Sequence, residues 1–233
     1  MTVCIAALAN NKKELVLVSD KMISITTPMA YQYETDDVYK IYTITDYCVA
    51  MTAGNAINAY QIIQNAKNQI IVNNISTIED IAATVRSEYQ NYRKKLIVET
   101  TLKPRGMTID KYYEKQKDLA LAVIKEIENQ LVNANIGVDL IIAGYNKDED
   151  CHIFSIIHPG VINSHDSIGY ACVGIGAPHA LYSLIDSDYK KTLSTDEVEA
   201  LVLKAKQKSE KAPGVGKLVT KMRLPSSKKR EGI

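Results

Sequence analysis

Apolar runs short enough to be strands come along this chain in pairs, with helical periods paired between them. That order excludes strand–helix–strand alternation, and with it a parallel sheet wound by crossover helices. Thr2–Ala9 and Leu15–Val18 flank the polar turn Asn10–Lys13 and read as a hairpin, the second strand ending at Ser19–Asp20. A loop rich in Thr, Tyr and Asp follows from Thr26 to Asp37. Tyr39–Ile44 and Tyr47–Ala53 then form a second hairpin turned at Thr45–Asp46. From Ala56 the period becomes helical through Ile57, Tyr60, Ile63, Lys67 and Ile70. Ser76-Thr77-Ile78-Glu79 has capping-box spacing and opens a helix from Ile78 to about Ile97. Lys103-Pro104-Arg105-Gly106 interrupts, and Tyr112–Asn133 is helical again, with Leu119, Val123, Ile127 and Leu131 on one side. Strands return at Val138–Ala143, Cys151–Ile157, Gly160–Ile162 and Tyr170–Val173. Helices follow from His179 to Leu184 and from a Ser194 cap to Ser209, and Lys217–Met222 is a last strand. Two sheets with helix pairs on their outer faces would bury every one of these stripes. The expected fold class is therefore α+β, a four-layer αββα sandwich. No linker divides the chain, so 1–233 is expected to be a single domain, with a helical-layer insertion around 93–116 and a basic tail over 225–233.

Composition removes several classes of function. The 233 residues are 46% hydrophobic, enough for a substantial core. Lys+Arg number 28 against 27 Asp+Glu, so no polyanion-binding face is indicated and no nucleic-acid partner is expected. The one basic run, Lys228-Lys229-Arg230, reads as a solvated end. Cys4, Cys48, Cys151 and Cys172 are far apart and lack CxxC spacing, and three of them lie in apolar runs, where a thiol serves as a small hydrophobe. His152, His158, His165 and His179 lack ligand spacing, and Gly174-x-Gly176 lacks the context of a nucleotide loop. Neither a metal nor a cofactor is expected. No stretch of 18 apolar residues occurs and no leader pattern opens the chain, which predicts a cytoplasmic protein with no membrane partner.

The residues with chemical potential lie at the strand ends. A Met before a small Thr is commonly trimmed, and trimming would leave Thr2 with a hydroxyl nucleophile and an amine base in one residue. An unperturbed α-amine has a pKa of about 7.7–8.0 and is partly neutral near pH 7. Asp20 and Lys40 end or begin strands that pair beside the first. A Lys next to the Thr hydroxyl would favour its ionised form, and an Asp would hold the Lys in place. Taken singly, Thr2 is equally an ordinary strand residue, and Asp20 and Lys40 ordinary charges at turns.

Together these segments resemble the proteasome β-subunit family of amino-terminal-nucleophile hydrolases, in particular its small bacterial and archaeal proteasome-like members. Thr2-Val3-Cys4-Ile5-Ala6-Ala7 is similar to the family's first strand, Val18-Ser19-Asp20-Lys21 to its Ala-Asp-x-Arg signature, and Lys40-Ile41-Tyr42-Thr43-Ile44 to its Lys-Ile-x-x-Ile segment. Ala53-Gly54-Asn55-Ala56, Val173-Gly174-Ile175-Gly176-Ala177 and Glu210-Lys211-Ala212-Pro213-Gly214 follow in the family's order. The resemblance implies the amino-terminal-nucleophile hydrolase fold, with Thr2 as nucleophile and Asp20 and Lys40 as its catalytic partners. It further implies that the Gly54 N–H lines the oxyanion site, that Ser24 pairs its backbone with an extended substrate, and that Thr52 forms the base of the first specificity pocket. The expected partners are a peptide or amide substrate and further copies of the same chain, a homo-oligomer that in this family is ring-like.

The sequence departs from the family at three positions. Ile175 and Pro213 stand where the family has serine, and Glu210 stands where it has aspartate. Those groups normally support the nucleophile's amine. Their loss leaves open, beside a threonine peptidase, a non-catalytic structural or binding homologue on the same fold; a third reading is a small-molecule amide hydrolase, since the fold implied by the resemblance serves both substrate classes. The tyrosines of the long loop, Tyr31, Tyr33 and Tyr39, either rim a cleft or interface or pack as amphipathic cover.

Overall fold

The computed structural model describes residues 2–25, 31–146 and 150–225. Met1, the Thr26–Ala30 part of the expected loop and the basic run Lys228–Arg230 lie outside the described residues. Along the chain come β1 (Cys4–Ala9), β2 (Glu14–Asp20), β3 (Met22–Ile25), β4 (Tyr31–Glu34), β5 (Ile41–Thr45) and β6 (Cys48–Gly54). Next are α1 (Ala56–Val72), α2 (Ile78–Ile97), α3 (Ile109–Lys115) and α4 (Leu121–Asn133). Then follow β7 (Val138–Tyr145), β8 (Cys151–Ile157), β9 (Val161–Ser164), β10 (Tyr170–Val173), α5 (Ala177–Asp186), α6 (Thr195–Ser209) and β11 (Val219–Leu224).

The first hairpin closes antiparallel with Cys4 opposite Ser19. Its turn puts Asn10, Asn11 and Lys12 at positive φ, a conformation Asn tolerates better than most residues. β10 and β11 add to its two sides, giving a four-stranded sheet in the order β10-β1-β2-β11. A second sheet runs β5-β6-β7-β8-β9, antiparallel at every pairing. All of β1 is buried, as a strand covered on both faces must be.

Strand alternation sorts the side chains into separate apolar clusters. Cys4, Ala6, Leu8, Leu15 and Leu17 of the first sheet meet Val49, Met51, Ala53, Ile141, Ala143 and Ile153 of the second. Val3, Ile5, Ala7, Val16 and Val18 face Ala180 and Leu184 of α5 and Val198, Val202 and Ala205 of α6. Ala50, Leu140, Ile142 and Ile156 face Ile62, Ile63 and Ala66 of α1 and Ile81, Val85 and Tyr89 of α2. Each fully buried Val, Leu or Ile contributes about 1.5–3 kcal/mol of transfer free energy. A one-residue slip in any strand would move its whole set to the wrong face. The result is a mixed α/β architecture with helix pairs packed on sheets.

Several expected elements change in detail. The continuous helix Tyr112–Asn133 is two helices: α3 ends at Lys115, a single tight turn spans Gln116–Asp118, and Leu119 and Ala120 are extended before α4. The stripe still packs on one side, with Ile127 buried and Leu119, Val123 and Leu131 half-buried, against Leu102, Tyr112, Met107 and Ile109. Only a chain that doubles back brings those two sets together. This small cluster gives the expected insertion its own apolar contacts. The cap of α2 is Thr77, whose side chain accepts the Asp80 N–H, one residue later than the expected Ser76–Glu79 box. Glu79 instead accepts from Asn146 Nδ2 at 3.0 Å. β4, inside the expected loop, pairs antiparallel with β3 just before it, Ser24 opposite Gln32, and the last strand starts at Val219 rather than Lys217.

Candidate active site

Three chain segments converge at one end of β1 and β2. Thr2 lies two residues before the first residue of β1, Asp20 ends β2, and Lys40 directly precedes β5, held there by a Thr52 N–H bond to the Lys40 carbonyl at 2.9 Å. Thr2 and Lys40 are nearly buried and Asp20 is fully so. Lys40 Nζ donates to Thr2 Oγ1 at 2.5 Å and to Asp20 Oδ1 at 2.8 Å. Asp20 Oδ1 also accepts the Val3 N–H at 3.0 Å, and Oδ2 accepts the N–H groups of Met22 at 3.0 Å and Gly216 at 3.1 Å.

A buried ion pair holds only when its remaining lone pairs are satisfied. Each carboxylate oxygen of Asp20 faces two donors, so this condition is met. The saturated carboxylate fixes the Lys40 ammonium against the Thr2 hydroxyl oxygen. A positive charge at that distance favours the ionised form of the hydroxyl and would stabilise negative charge developing beside it. Cys4 lies close enough to feel both charges. Its thiol is nevertheless pushed up to about 12, first by burial, with Lys40 lowering and Asp20 raising it, so it is inert as a nucleophile.

The two glycines flanking Ile175 have a steric reason. Gly174 has φ +92°, and a Cβ there would lie 2.4 Å from the Thr2 carbonyl oxygen and 3.1 Å from Ala53 Cβ. A Cβ on Gly176 would meet Val3 Cβ at 2.9 Å, and the Gly176 N–H donates to the Thr2 carbonyl at 3.1 Å. Thr2 is therefore gripped on its backbone by the Gly174–Gly176 turn and on its hydroxyl by Lys40. The contact between Gly174 and Ala53 also brings the end of β6 beside that turn.

The other residues singled out from the sequence are placed as follows. Gly54 closes β6 with φ +98°, and a Cβ there would collide with the Gly137 carbonyl oxygen at 2.0 Å. Its backbone lies exposed next to Ala53. Thr52 is buried, with its carbonyl accepting from Cys4 Sγ at 3.3 Å and its side chain close to Tyr42. Burial is the largest cause of the raised Tyr42 pKa, and the neighbouring Tyr60 adds to it. Ser24 sits in β3, its hydroxyl buried without a hydrogen-bond partner, and the β3–β4 sheet has only two strands. One edge of β3 is thus unpaired among the described residues. Ile175 is half exposed and Pro213 is exposed. Glu210 accepts from Lys206 Nζ at 2.7 Å.

Two contributors carry no strong sequence signal. Gly216 donates to Asp20 from 196 residues away. Ser209 is fully buried and shares its one hydroxyl proton between the Gly176 carbonyl at 3.0 Å and the Ala205 carbonyl at 2.9 Å, anchoring the glycine turn to α6. The repeated glycines at 214 and 216 were the one available hint of a close backbone approach.

The histidines lie elsewhere. His152 Nδ1 pairs with Asp166 at 2.7 Å, and His165 Nε2 with Ser155 Oγ at 2.8 Å. His158 has a buried, unpartnered Nδ1, and His179 is exposed. Among the described residues no group of three or more His, Cys, Asp or Glu side chains is arranged to hold a metal ion, and no helix is long and apolar enough to cross a membrane.

Compared with known proteins, residues 108–213 match the family model described as proteasome subunit, in agreement with the resemblance seen in the motifs. The matched span includes the Gly174–Gly176 turn, α5 and α6. Thr2, Asp20 and Lys40 lie outside it. No curated protein matches the chain.

Proposed function

We propose that this chain is a proteasome-type amino-terminal threonine hydrolase that cleaves peptide or amide bonds through an ester on Thr2. One observation carries the reading: a buried lysine, held by a carboxylate whose oxygens are all engaged, contacts the hydroxyl of the second residue. With Met1 removed, the neutral Thr2 amine takes the hydroxyl proton, directly or through a water. Oγ1 then attacks the carbonyl carbon while Lys40 stabilises the developing negative charge. The Gly54 N–H faces the oxyanion. As the tetrahedral intermediate collapses, the C–N bond breaks and the proton passes to the leaving amine. Water hydrolyses the ester and restores Thr2.

The open edge of β3 at Ser24 supports substrate pairing in β fashion, which reads a peptide through its backbone rather than its sequence. The separate apolar clusters support an αββα layering of the kind the resemblance implies. Ile57, Ile71 and Val72 of α1 and Tyr182 and Ile185 of α5 expose large apolar side chains on the isolated chain, which supports homo-oligomeric assembly. Sedimentation of the purified protein tests that part.

The decisive experiment begins with the intact mass of protein purified from its native host. Loss of the Met1 residue is expected, followed by covalent labelling of Thr2 with an electrophilic peptide and no labelling of Thr2→Ala. Retention of Met1 throughout, or a correctly trimmed and folded protein that resists labelling, sinks the hydrolase reading. The second outcome would favour a non-catalytic homologue, the reading favoured by the lack of a side-chain hydroxyl at Ile175 and Pro213.

A further inference from the structure

Near the site, one peptide group is held by charge at both ends. Lys206, 1% exposed in the last turn of α6, donates from Nζ to the Lys217 carbonyl at 2.6 Å and to Glu210 Oε1 at 2.7 Å. Glu34 of β4 accepts the Leu218 N–H on Oε1 at 2.9 Å. The Lys217 carbonyl and the Leu218 N–H belong to the same peptide plane. An ammonium grips its negative end and a carboxylate its positive end, so both charges align with the peptide dipole. One residue earlier, Gly216 donates its N–H to Asp20 Oδ2. Gly216 packs so closely that a Cβ there would fall 2.0 Å from Glu34 Oε1 and 3.0 Å from Met22 Cβ.

We propose that Lys206 and Glu34 are positioning residues that clamp the 217–218 peptide and thereby hold the Gly216 N–H on Asp20, keeping Lys40 aimed at Thr2. The inference rests on the hydrolase reading for its kinetic consequence but not for its structural one. The clamp needs a buried ammonium because a lysine in a dry interior is costly unless both its partners persist. Lys206 has two, Glu210 and the Lys217 carbonyl. Glu210 thus acts through Lys206 rather than on the amine of Thr2. In this chain, support of the site runs through the Gly214–Leu218 segment instead of through a serine hydroxyl at position 213.

The test uses the full chain with Met1 removed and compares Lys206→Met, Lys206→Arg and Glu34→Gln with wild type. Lys204→Met serves as a control on the exposed side of α6. Two readouts are taken: hydrogen exchange of the Gly216 amide, and the rate and affinity constants for labelling of Thr2 by an electrophilic peptide. Lys206→Met is expected to speed Gly216 exchange at least tenfold. It should slow the maximal labelling rate tenfold or more while half-saturation changes less than twofold, because a misplaced Lys40 impairs reaction rather than binding. Lys206→Arg keeps the charge and should recover most of both. Glu34→Gln, on a surface ribbon, should show the same direction more weakly, and it carries the test if Lys206→Met does not fold. Unchanged Gly216 exchange in the folded variants overturns the clamp. Altered exchange with an unchanged labelling rate overturns its link to Lys40. A wild-type protein that never labels refutes the hydrolase reading alone, since the exchange measurement still decides whether the clamp exists.

Discussion

Replacing Asp20 by Asn should unsettle the site far more than the loss of one charge suggests. The two carboxylate oxygens divide four donors evenly: Val3 N–H and Lys40 Nζ on Oδ1, Met22 N–H and Gly216 N–H on Oδ2. An amide has one oxygen and one NH2 group, so whichever way it is rotated its NH2 points at two donors. One orientation strands Gly216 and Met22, the other Val3 and Lys40. Every orientation thus leaves at least one buried donor without an acceptor, at about 1–3 kcal/mol for each such group. Lys40 also loses its counter-charge, and breaking a buried pair from one side costs about 3–5 kcal/mol. These terms overlap, and about 3–5 kcal/mol in all is a fair sum. For a chain of this size each kcal/mol moves Tm by about 2–4 °C, so Asp20→Asn should melt about 6–20 °C below wild type. Scanning calorimetry at neutral pH measures the shift, and urea unfolding checks that the m-value is unchanged. A drop of less than about 2 °C would mean that the carboxylate is not saturated as described, and the electrostatic argument for Lys40 would fall with it.

Other consequences can be checked in parallel. Gly174→Ala places a Cβ 2.4 Å from the Thr2 carbonyl at φ +92° and should abolish Thr2 labelling and lower Tm; wild-type behaviour in both would show that the turn does not pack on Thr2. Glu199 is held below its ordinary 4.5 first by Arg223 and then by Lys221, both on β11. Because its folded value is depressed, the stabilisation is full above pH 4.5 and is lost as pH falls through the lowered value. Glu199→Gln should therefore cost about 1 kcal/mol at pH 7, since both cations are partly exposed, and this difference should vanish in acid; a pH-independent difference refutes the assignment. Burial raises the thiols of Cys4, Cys48 and Cys172, so none should react with a thiol reagent at pH 8 until the protein unfolds; rapid labelling of any of them in the native state contradicts the packing.

Much of the fold was legible because period and burial are local properties. β1, β2, β6 and β7 announce themselves as apolar runs, and α6 announces itself through Ser194 and Glu197, whose side chains make the reciprocal cap. The misreadings share a cause. Tyr112 to Leu131 keeps a helical period across the break at Gln116–Ala120, and nothing within that window says that the chain must turn back there to pack Leu119–Leu131 on Leu102 and Tyr112. Ser76 and Thr77 both offer a hydroxyl; Thr77 is the cap, and at that end Asn146, from the far side of the chain, accepts the Ile78 N–H and donates to Glu79.

The site divides along the same line. Thr2, Asp20 and Lys40 could be singled out as candidates from the sequence, because strand ends and motif order are linear information, and so could the glycines at 174 and 176. The sequence by itself therefore indicated most of the secondary elements, the apolar faces and the candidate nucleophile with its two charged partners. Only the tertiary structure decided that Lys40 contacts the Thr2 hydroxyl, that Asp20 is saturated by Val3, Met22 and Gly216, and that Lys206 and Glu34 grip the peptide after Gly216. Apart from the Lys40–Thr2 contact, they join backbone groups to charged side chains in segments up to 196 residues away. A backbone N–H leaves no mark in a sequence, and its partner exists only once the sheets and helices have packed.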